Sequence, residues 1–405
     1  MIMKDQTDIQ ITDTEQIFLH ALNTVVHQSE YDIESKLSIQ EVDELLLLSQ
    51  RHEVTALLDD VWNRYTLSNE QLILKDKIVA RTVQKSIQLQ ILNSKLTQKL
   101  REAGITAVTL KGYSVSRYFP VPEDRKSGDV DLFVSGKENI EKAVKLLENN
   151  GFHTTDSWHA NHHLVFISDR NETVELHVSW VEEFKEKHLN EYITKIQKES
   201  MNHCALLNQN DLQLYVYDLP YHAFYLLLHM YQHFTASGFG VRNLCDWVVL
   251  WEHCHNKEER NIFRKLICES GMHAFAQAVT GICIDYLGLK KEYSPIDVSD
   301  ADTILEHQLL RDILDAGEFG YSESERMVGM DGNSIWSYVK EFHHQMHINF
   351  PSTGNIFIFW PYMWIFTLCR FLNNNRKLKR SSVSSIMKKA GQRGKLVSRL
   401  TAKNQ

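Results

Sequence analysis

The run Arg125-Lys126-Ser127-Gly128-Asp129-Val130-Asp131-Leu132-Phe133-Val134 restricts this chain more than any other stretch, because it sets two carboxylates one residue apart among apolar neighbours. A strand with Val130, Leu132 and Val134 on its buried side turns Asp129, Asp131 and Phe133 to the opposite side, since side chains alternate with a period of two. Two acids on one rigid face repel. They are tolerated most easily where a divalent cation neutralises them, and an all-oxygen set suits Mg²⁺ or Mn²⁺. Taken alone, an Asp-x-Asp pair also fits an edge strand whose acids are merely solvated.

A third acid stands in Thr173-Val174-Glu175-Leu176-His177-Val178, where Val174, Leu176 and Val178 alternate with Thr173, Glu175 and His177. Ser168-Asp169-Arg170-Asn171 separates this strand from the apolar run Leu164 to Ile167 and reads as a hairpin connection. Glu175 lies beside the two aspartates if its strand pairs near theirs.

Upstream, Ile105 to Leu110 reads as a buried strand ending at Gly112, followed by a brief helical pattern through Val115, Tyr118 and Phe119 that Pro120 and Pro122 stop. A strand, a glycine and a helix start together form an anion site, because unpaired backbone N–H groups point outward there. Ile140, Val144 and Leu147 suggest a second helix, ending near Gly151. The expected order is strand, helix, strand, helix, strand, strand.

On these residues the chain resembles the nucleotidyltransferases of the DNA polymerase beta superfamily, and more closely a group of bacterial proteins known as uncharacterised nucleotidyltransferases. The matching elements are Leu110-Lys111-Gly112, Arg125, Asp129-Val130-Asp131 and Glu175-Leu176-His177, with looser matches at His229, His233, Arg242 and Asp246. The resemblance implies an α+β fold, a small mixed-sheet core flanked by helical regions. It also implies a magnesium-dependent transferase that moves a nucleoside monophosphate from a nucleoside triphosphate such as ATP to an acceptor hydroxyl, releasing pyrophosphate. Asp129, Asp131 and Glu175 would hold two Mg²⁺ (or Mn²⁺) ions ~4 Å apart. Lys111, Gly112, Ser114, Arg125 and Ser127 are the expected nucleotide-binding residues, and His163, His177, His229, His233, Arg242 and Asp246 the expected substrate contacts. The wider superfamily usually carries Gly-Ser or Gly-Gly at the phosphate turn, whereas this chain has Gly112-Tyr113.

The surroundings are helical. Val42, Leu45, Leu46 and Leu48 mark one helix before the core, and Val83, Ile87, Ile91, Leu92, Leu96 and Leu100 another; helical patterns resume after about residue 210. The expected division is a helical region 1–103, a catalytic core 104–205, a helical domain 206–350, and an apolar segment with a basic tail, 351–405. His229 and His233 lie four apart, as do His343 and His347. Such a pair can bind zinc, but no nearby cysteine or third ligand completes a site, so core or hydrogen-bonded histidines are the plainer expectation. His159, His162 and His163 precede a strand near the acids, and Trp158 and Trp180 flank the region.

Six cysteines without a Cys-x-x-Cys pair read as reduced thiols, and no apolar signal region opens the chain, so a cytoplasmic protein is expected. From Arg370 onward there are eleven basic residues and no acid, whereas the first 369 residues carry 33 basic against 52 acidic residues. This tail follows the apolar run Ile356 to Leu368, which is too short and too broken by Pro361 to span a membrane. A solvated end is the plainer reading; an anionic membrane surface or nucleic acid is the alternative partner. A non-catalytic nucleotide-binding or antitoxin-like regulator that keeps the fold is the alternative function.

Overall fold

A computed structural model describes residues 11–29, 37–154, 162–318, 343, 346, 359–366 and 383–401. Trp158, His159 and His347 lie outside the described residues.

Seven strands form one mixed sheet: β1 (Ala107–Thr109), β2 (Val130–Val134), β3 (Phe152–Thr154), β4 (His163–Ser168), β5 (Thr173–His177), β6 (Cys204–Gln209) and β7 (Leu212–Tyr217), in the order β3-β4-β5-β2-β1-β7-β6. Strands β2 and β5 are parallel, as are β1 and β7, and the remaining neighbours are antiparallel. Helices α1 (Asp13–Val26), α2 (Ile39–Arg51), α3 (Asp59–Trp62) and α4 (Asn69–Glu102) precede the sheet. Between its strands lie α5 (Tyr113–Ser116), α6 (Lys137–Asn149) and α7 (Lys187–Glu199). After it come α8 (Leu219–Thr235), α9 (Val241–Glu252), α10 (Lys257–Ser270), α11 (His273–Leu287) and α12 (Thr303–Ala316). The chain therefore adopts the expected α+β architecture.

Both faces of the sheet are covered. Val130, Leu132 and Val134 pack with Leu164, Leu176, Ile140 and Leu147 in a core shared with α4 and α6. Phe133, Val108 and Leu110 belong to a larger core with Trp180 and helices α8, α9 and α11. The alternation of β2 thus separates two cores, and its acidic face looks toward the later helices.

Three features depart from expectation. The hairpin β6–β7 extends the sheet into the region expected to be helical; its turn, Asn210-Asp211, has φ of 52° and 63°, the left-handed pair of a type I′ turn. Ile87 and Ile91, read as part of the apolar stripe of α4, are exposed, whereas Leu96 and Leu100 are buried. Polar contacts fix the rotation of α4: Thr109 Oγ1 donates to Asn93 at 3.2 Å and the Gln213 N–H donates to Ser94 at 2.9 Å.

The basic end is the third departure, because residues 391–400 are not a solvated tail. The chain forms a terminal helix, Val383–Leu400, in which Arg393, Leu396 and Leu400 are buried. Arg393 donates to Asp312 at 3.1 Å, to the Ala236 carbonyl at 3.2 Å and to the Phe234 carbonyl. A guanidinium there satisfies carbonyls left open at the end of α8. Among the described residues no helix is long and apolar enough to cross a membrane.

Candidate active site

Register builds the site. In the parallel pairing of β2 with β5, Asp131 lies opposite Glu175 and Phe133 opposite His177. In the antiparallel pairing of β5 with β4, His163 lies opposite His177. Cross-strand partners share a face, so Asp131, Glu175, His177 and His163 project together. Asp129, just before β2, follows the same alternation. Helix α8 covers this face with Tyr225, His229 and His233, which recur every four residues and so form one stripe. Rings of Tyr225 and Phe133 both pack on Trp180, at 5.9 and 6.4 Å between centroids.

Lys111 enters from the end of β1, where the Leu110 N–H donates to the Asp131 carbonyl at 3.1 Å. Gly112 then takes φ 65° and ψ −126°, the conformation of the first central residue of a type II′ turn, which favours glycine. The Lys111 ammonium lies 3.0 Å from Asp131 Oδ1 and 3.2 Å from His229 Nε2, and His229 Nε2 lies 3.1 Å from His233 Nε2. His177 Nε2 lies 3.1 Å from Asp131 Oδ1 and 3.4 Å from Glu175 Oε2, while His163 Nε2 is 4.0 Å from Glu175 Oε1.

These neighbours divide the acids electrostatically. Burial and the charge of Asp131 push the Asp129 carboxyl up to about 7. Burial acts on Asp131 too, but Lys111 and the hydrogen bond from His177 outweigh it and hold that carboxyl well below the usual range. Lys111 is raised in turn, since the charge of Asp131 and its neighbours overcomes burial. Burial would discharge His177, yet hydrogen bonds to Asp131 and Glu175 raise it. Burial and nearby cations lower His162 to about 3, His233 to about 4, and His163 and His229 as well.

A second group of expected residues sits beside this one. Arg125 donates from Nε and Nη2 to the two carboxylate oxygens of Asp246, 2.6 Å each, and its Nη1 lies 3.2 Å from Ser127 Oγ. Arg242, one turn before Asp246 on α9, donates to the Lys126 carbonyl and to Glu318. The segment leading into Asp129 is thus clamped to α9. Ser114 is fully buried and donates to the Lys111 carbonyl at 3.0 Å, with His222 Nε2 3.4 Å away. Its hydroxyl supports the turn from within.

Sequence reading passed over Tyr225, whose four-residue spacing to His229 was the available signal. Glu318 and His222 had none, because their partners lie 76 and 108 or more residues away. The acids and His177 fit a divalent cation: Asp131, Glu175 and His177 each bring a donor atom within 4.8 Å of the others.

No curated protein matches the chain. A solved structure, that of an antigenic nucleotidyltransferase-like protein from Paracoccidioides brasiliensis, is 15% identical, covers 50% of this chain and 93% of its own, and has a TM-score of 0.30, a likeness too loose to bear on the assignment. A family model described as uncharacterised nucleotidyltransferase matches residues 38–288. Because that span exceeds half the chain and contains the acids, Lys111 and the histidines around them, the protein belongs to the uncharacterised nucleotidyltransferase family.

Proposed function

We propose that this chain transfers a nucleoside monophosphate from a nucleoside triphosphate to an acceptor hydroxyl and releases pyrophosphate. The observation that carries the proposal is the in-register placement of Asp131 against Glu175 on parallel strands, with Asp129 two residues earlier on the same face. Asp129, Asp131 and Glu175 would hold Mg²⁺ or Mn²⁺, which neutralises the triphosphate and the developing charge. Glu175, 21% exposed where Asp131 is 2% exposed, is the acid placed to take the acceptor's proton. Lys111 supplies positive charge beside the acids, and the Gly112 turn brings backbone close to phosphate. Ser127, half-buried next to Arg125, is the hydroxyl facing that turn: a Cβ built on Gly112 would lie 4.0 Å from its Oγ. Arg125, Arg242 and Asp246 act on the nucleotide indirectly, by fixing the segment that ends at Asp129. His163, His229 and His233, beside the acids, would contact the acceptor. The same proposal includes the DNA polymerase beta superfamily, a bacterial cytoplasmic setting and the four-part division of the chain given above, with the end of the core moved past β7.

One observation favours the alternative of a non-catalytic nucleotide binder. Asp131 is already compensated by Lys111 at 3.0 Å and His177 at 3.1 Å. The two readings separate in a screen of nucleoside triphosphates against small-molecule, glycan, protein and nucleic-acid hydroxyls, read by pyrophosphate release and product mass. Pyrophosphate release that stops with a chelator and in Asp131→Asn supports transfer. Triphosphate binding without pyrophosphate release across the screen supports the binder.

A further inference from the structure

We infer that His162, His163 and His177 form a second cation site, one that takes a borderline-soft divalent ion of the Zn²⁺ kind. One ring nitrogen from each histidine lies within 4.8 Å of the others. His162 Nε2 and His163 Nδ1 are 2.9 Å apart, with rings at 84°. Two nitrogens bound at about 2.0–2.1 Å and at the tetrahedral angle to one ion are separated by roughly 3.3 Å, so a spreading of a few tenths of an ångström brings the pair to zinc-ligand spacing.

The fold holds these rings rather than leaving them on a loose loop. His163 and His177 are cross-strand partners on β4 and β5. The His162 carbonyl accepts the N–H groups of Val178 at 2.9 Å and Ser179 at 3.1 Å, so the residue just before β4 is tied to the chain just after β5. His177 is 3% exposed.

Surrounding carboxylates show which ligand suits the cluster. Zinc-binding histidines present one nitrogen to the metal and the other to a carboxylate, which orients the ring. His177 follows this pattern: Nε2 faces Asp131 and Glu175, while Nδ1 is buried and without a hydrogen-bond partner. His162 turns Nε2 toward His163, while its Nδ1, 3.6 Å from Glu182, is buried and without a hydrogen-bond partner. Glu175 and Glu182 beside the histidines disfavour an anion there. Three imidazoles also distinguish this site from the neighbouring acids, since Mg²⁺ selects oxygen whereas imidazole suits zinc and cobalt. His177 touches both donor sets, so an ion on the histidines would adjoin the acids.

The test uses full-length protein stripped of metal by a chelator, with no nucleotide present, so its outcome is independent of the transferase proposal. Zn²⁺ is titrated by calorimetry and Co²⁺ by visible absorption. The expected result is one equivalent of Zn²⁺ that excess Mg²⁺ does not displace, and a Co²⁺ spectrum with ligand-field bands. His162→Ala and His163→Ala should each weaken Zn²⁺ binding on the order of tenfold or more, at least the loss caused by removing an outer partner of a metal ligand. His163→Gln, which keeps the side chain's bulk, is the variant to use if alanine prevents folding. Absence of Zn²⁺ uptake, displacement by Mg²⁺, or unchanged affinity in the folded histidine variants overturns the inference.

Discussion

Arg125 and Asp246 form a two-armed ion pair, 2.6 Å at both contacts, across 121 residues of sequence. Both partners are about 3% exposed. The pair joins the segment that enters β2 to helix α9, and so couples the position of Asp129 and Asp131 to the packing of the later helices.

Asp246→Ala should therefore act on stability first. It leaves a buried guanidinium without its carboxylate, a change that costs about 3–5 kcal/mol, whereas exchanging both partners for apolar residues costs far less. Urea denaturation of Asp246→Ala and of Arg125→Met with Asp246→Leu measures this. Equal stability in the two variants would show that the pair contributes little.

Replacement of the acids should separate binding from turnover. Asp131→Asn is expected to lower cation-dependent pyrophosphate release on the order of 10²-fold or more, the scale seen when one stabilising group is removed from a transition state. Glu175→Gln should retain triphosphate binding better than transfer. Calorimetry with a triphosphate, alongside pyrophosphate release, checks both; parallel loss in Glu175→Gln counts against its role as proton acceptor.

Gly112→Val tests the turn. A Cβ there meets nothing closer than Ser127 Oγ at 4.0 Å, so the penalty comes from a φ of 65° with ψ of −126°, a strain of about 1–3 kcal/mol. The melting temperature should fall and triphosphate affinity should weaken. Unchanged affinity in a folded variant would remove Gly112 from the phosphate site.

Asp129 gives a pH dependence with a definite sign. Its carboxyl rises from 3.8 to about 7 on folding, so between these values the native state holds a proton that the unfolded chain has lost. Its contribution to stability is full below the unfolded value and is lost as pH rises toward 7. Asp131, shifted down, contributes above its unfolded value and loses that contribution as pH falls. Thermal unfolding in chelator from pH 4 to 8 should show Asp129→Asn removing part of the decline seen with rising pH. An identical slope in variant and wild type would contradict this.

The terminal helix makes the last prediction. Arg393→Ala deprives Asp312 and the last carbonyls of α8 of their donor, and a loss of about 3 kcal/mol is expected for a buried charged contact. Truncation after Asn375 should cost at least as much. Melting curves decide it: a truncated chain as stable as the full one would mean that the helix is dispensable.

Much of this was legible from alternation. The period of two in β2 and β5 placed Asp129, Asp131 and Glu175 on polar faces, and Asn171, φ 58°, closes the hairpin read between β4 and β5. Alternation is a local property, so it left open which strands pair; the parallel contact of β2 with β5 depends on the packing of both faces. The rotation of α4 was missed for the same reason: Asn93 and Ser94 are fixed by groups on β1 and β7, and those contacts outweigh an apolar pattern. The roles of Arg125 and Asp246 were illegible because a charged residue looks the same in sequence whether it meets phosphate or a distant carboxylate. Net charge likewise described the tail as one basic stretch, when burial distinguishes Arg393 from the exposed Lys395 and Arg399.

Lys111 makes the site a competitive one. Its ammonium already occupies one side of Asp131, so an arriving metal ion must share or take over that carboxylate, and the ammonium then needs another negative partner. On the proposed function a polyphosphate provides it. Metal and polyphosphate would then be linked thermodynamically, each raising the other's affinity by the same factor. On the proposed function neither ligand alone would gain the full interaction, so the pocket would discriminate against free cations and accept the metal–polyphosphate pair.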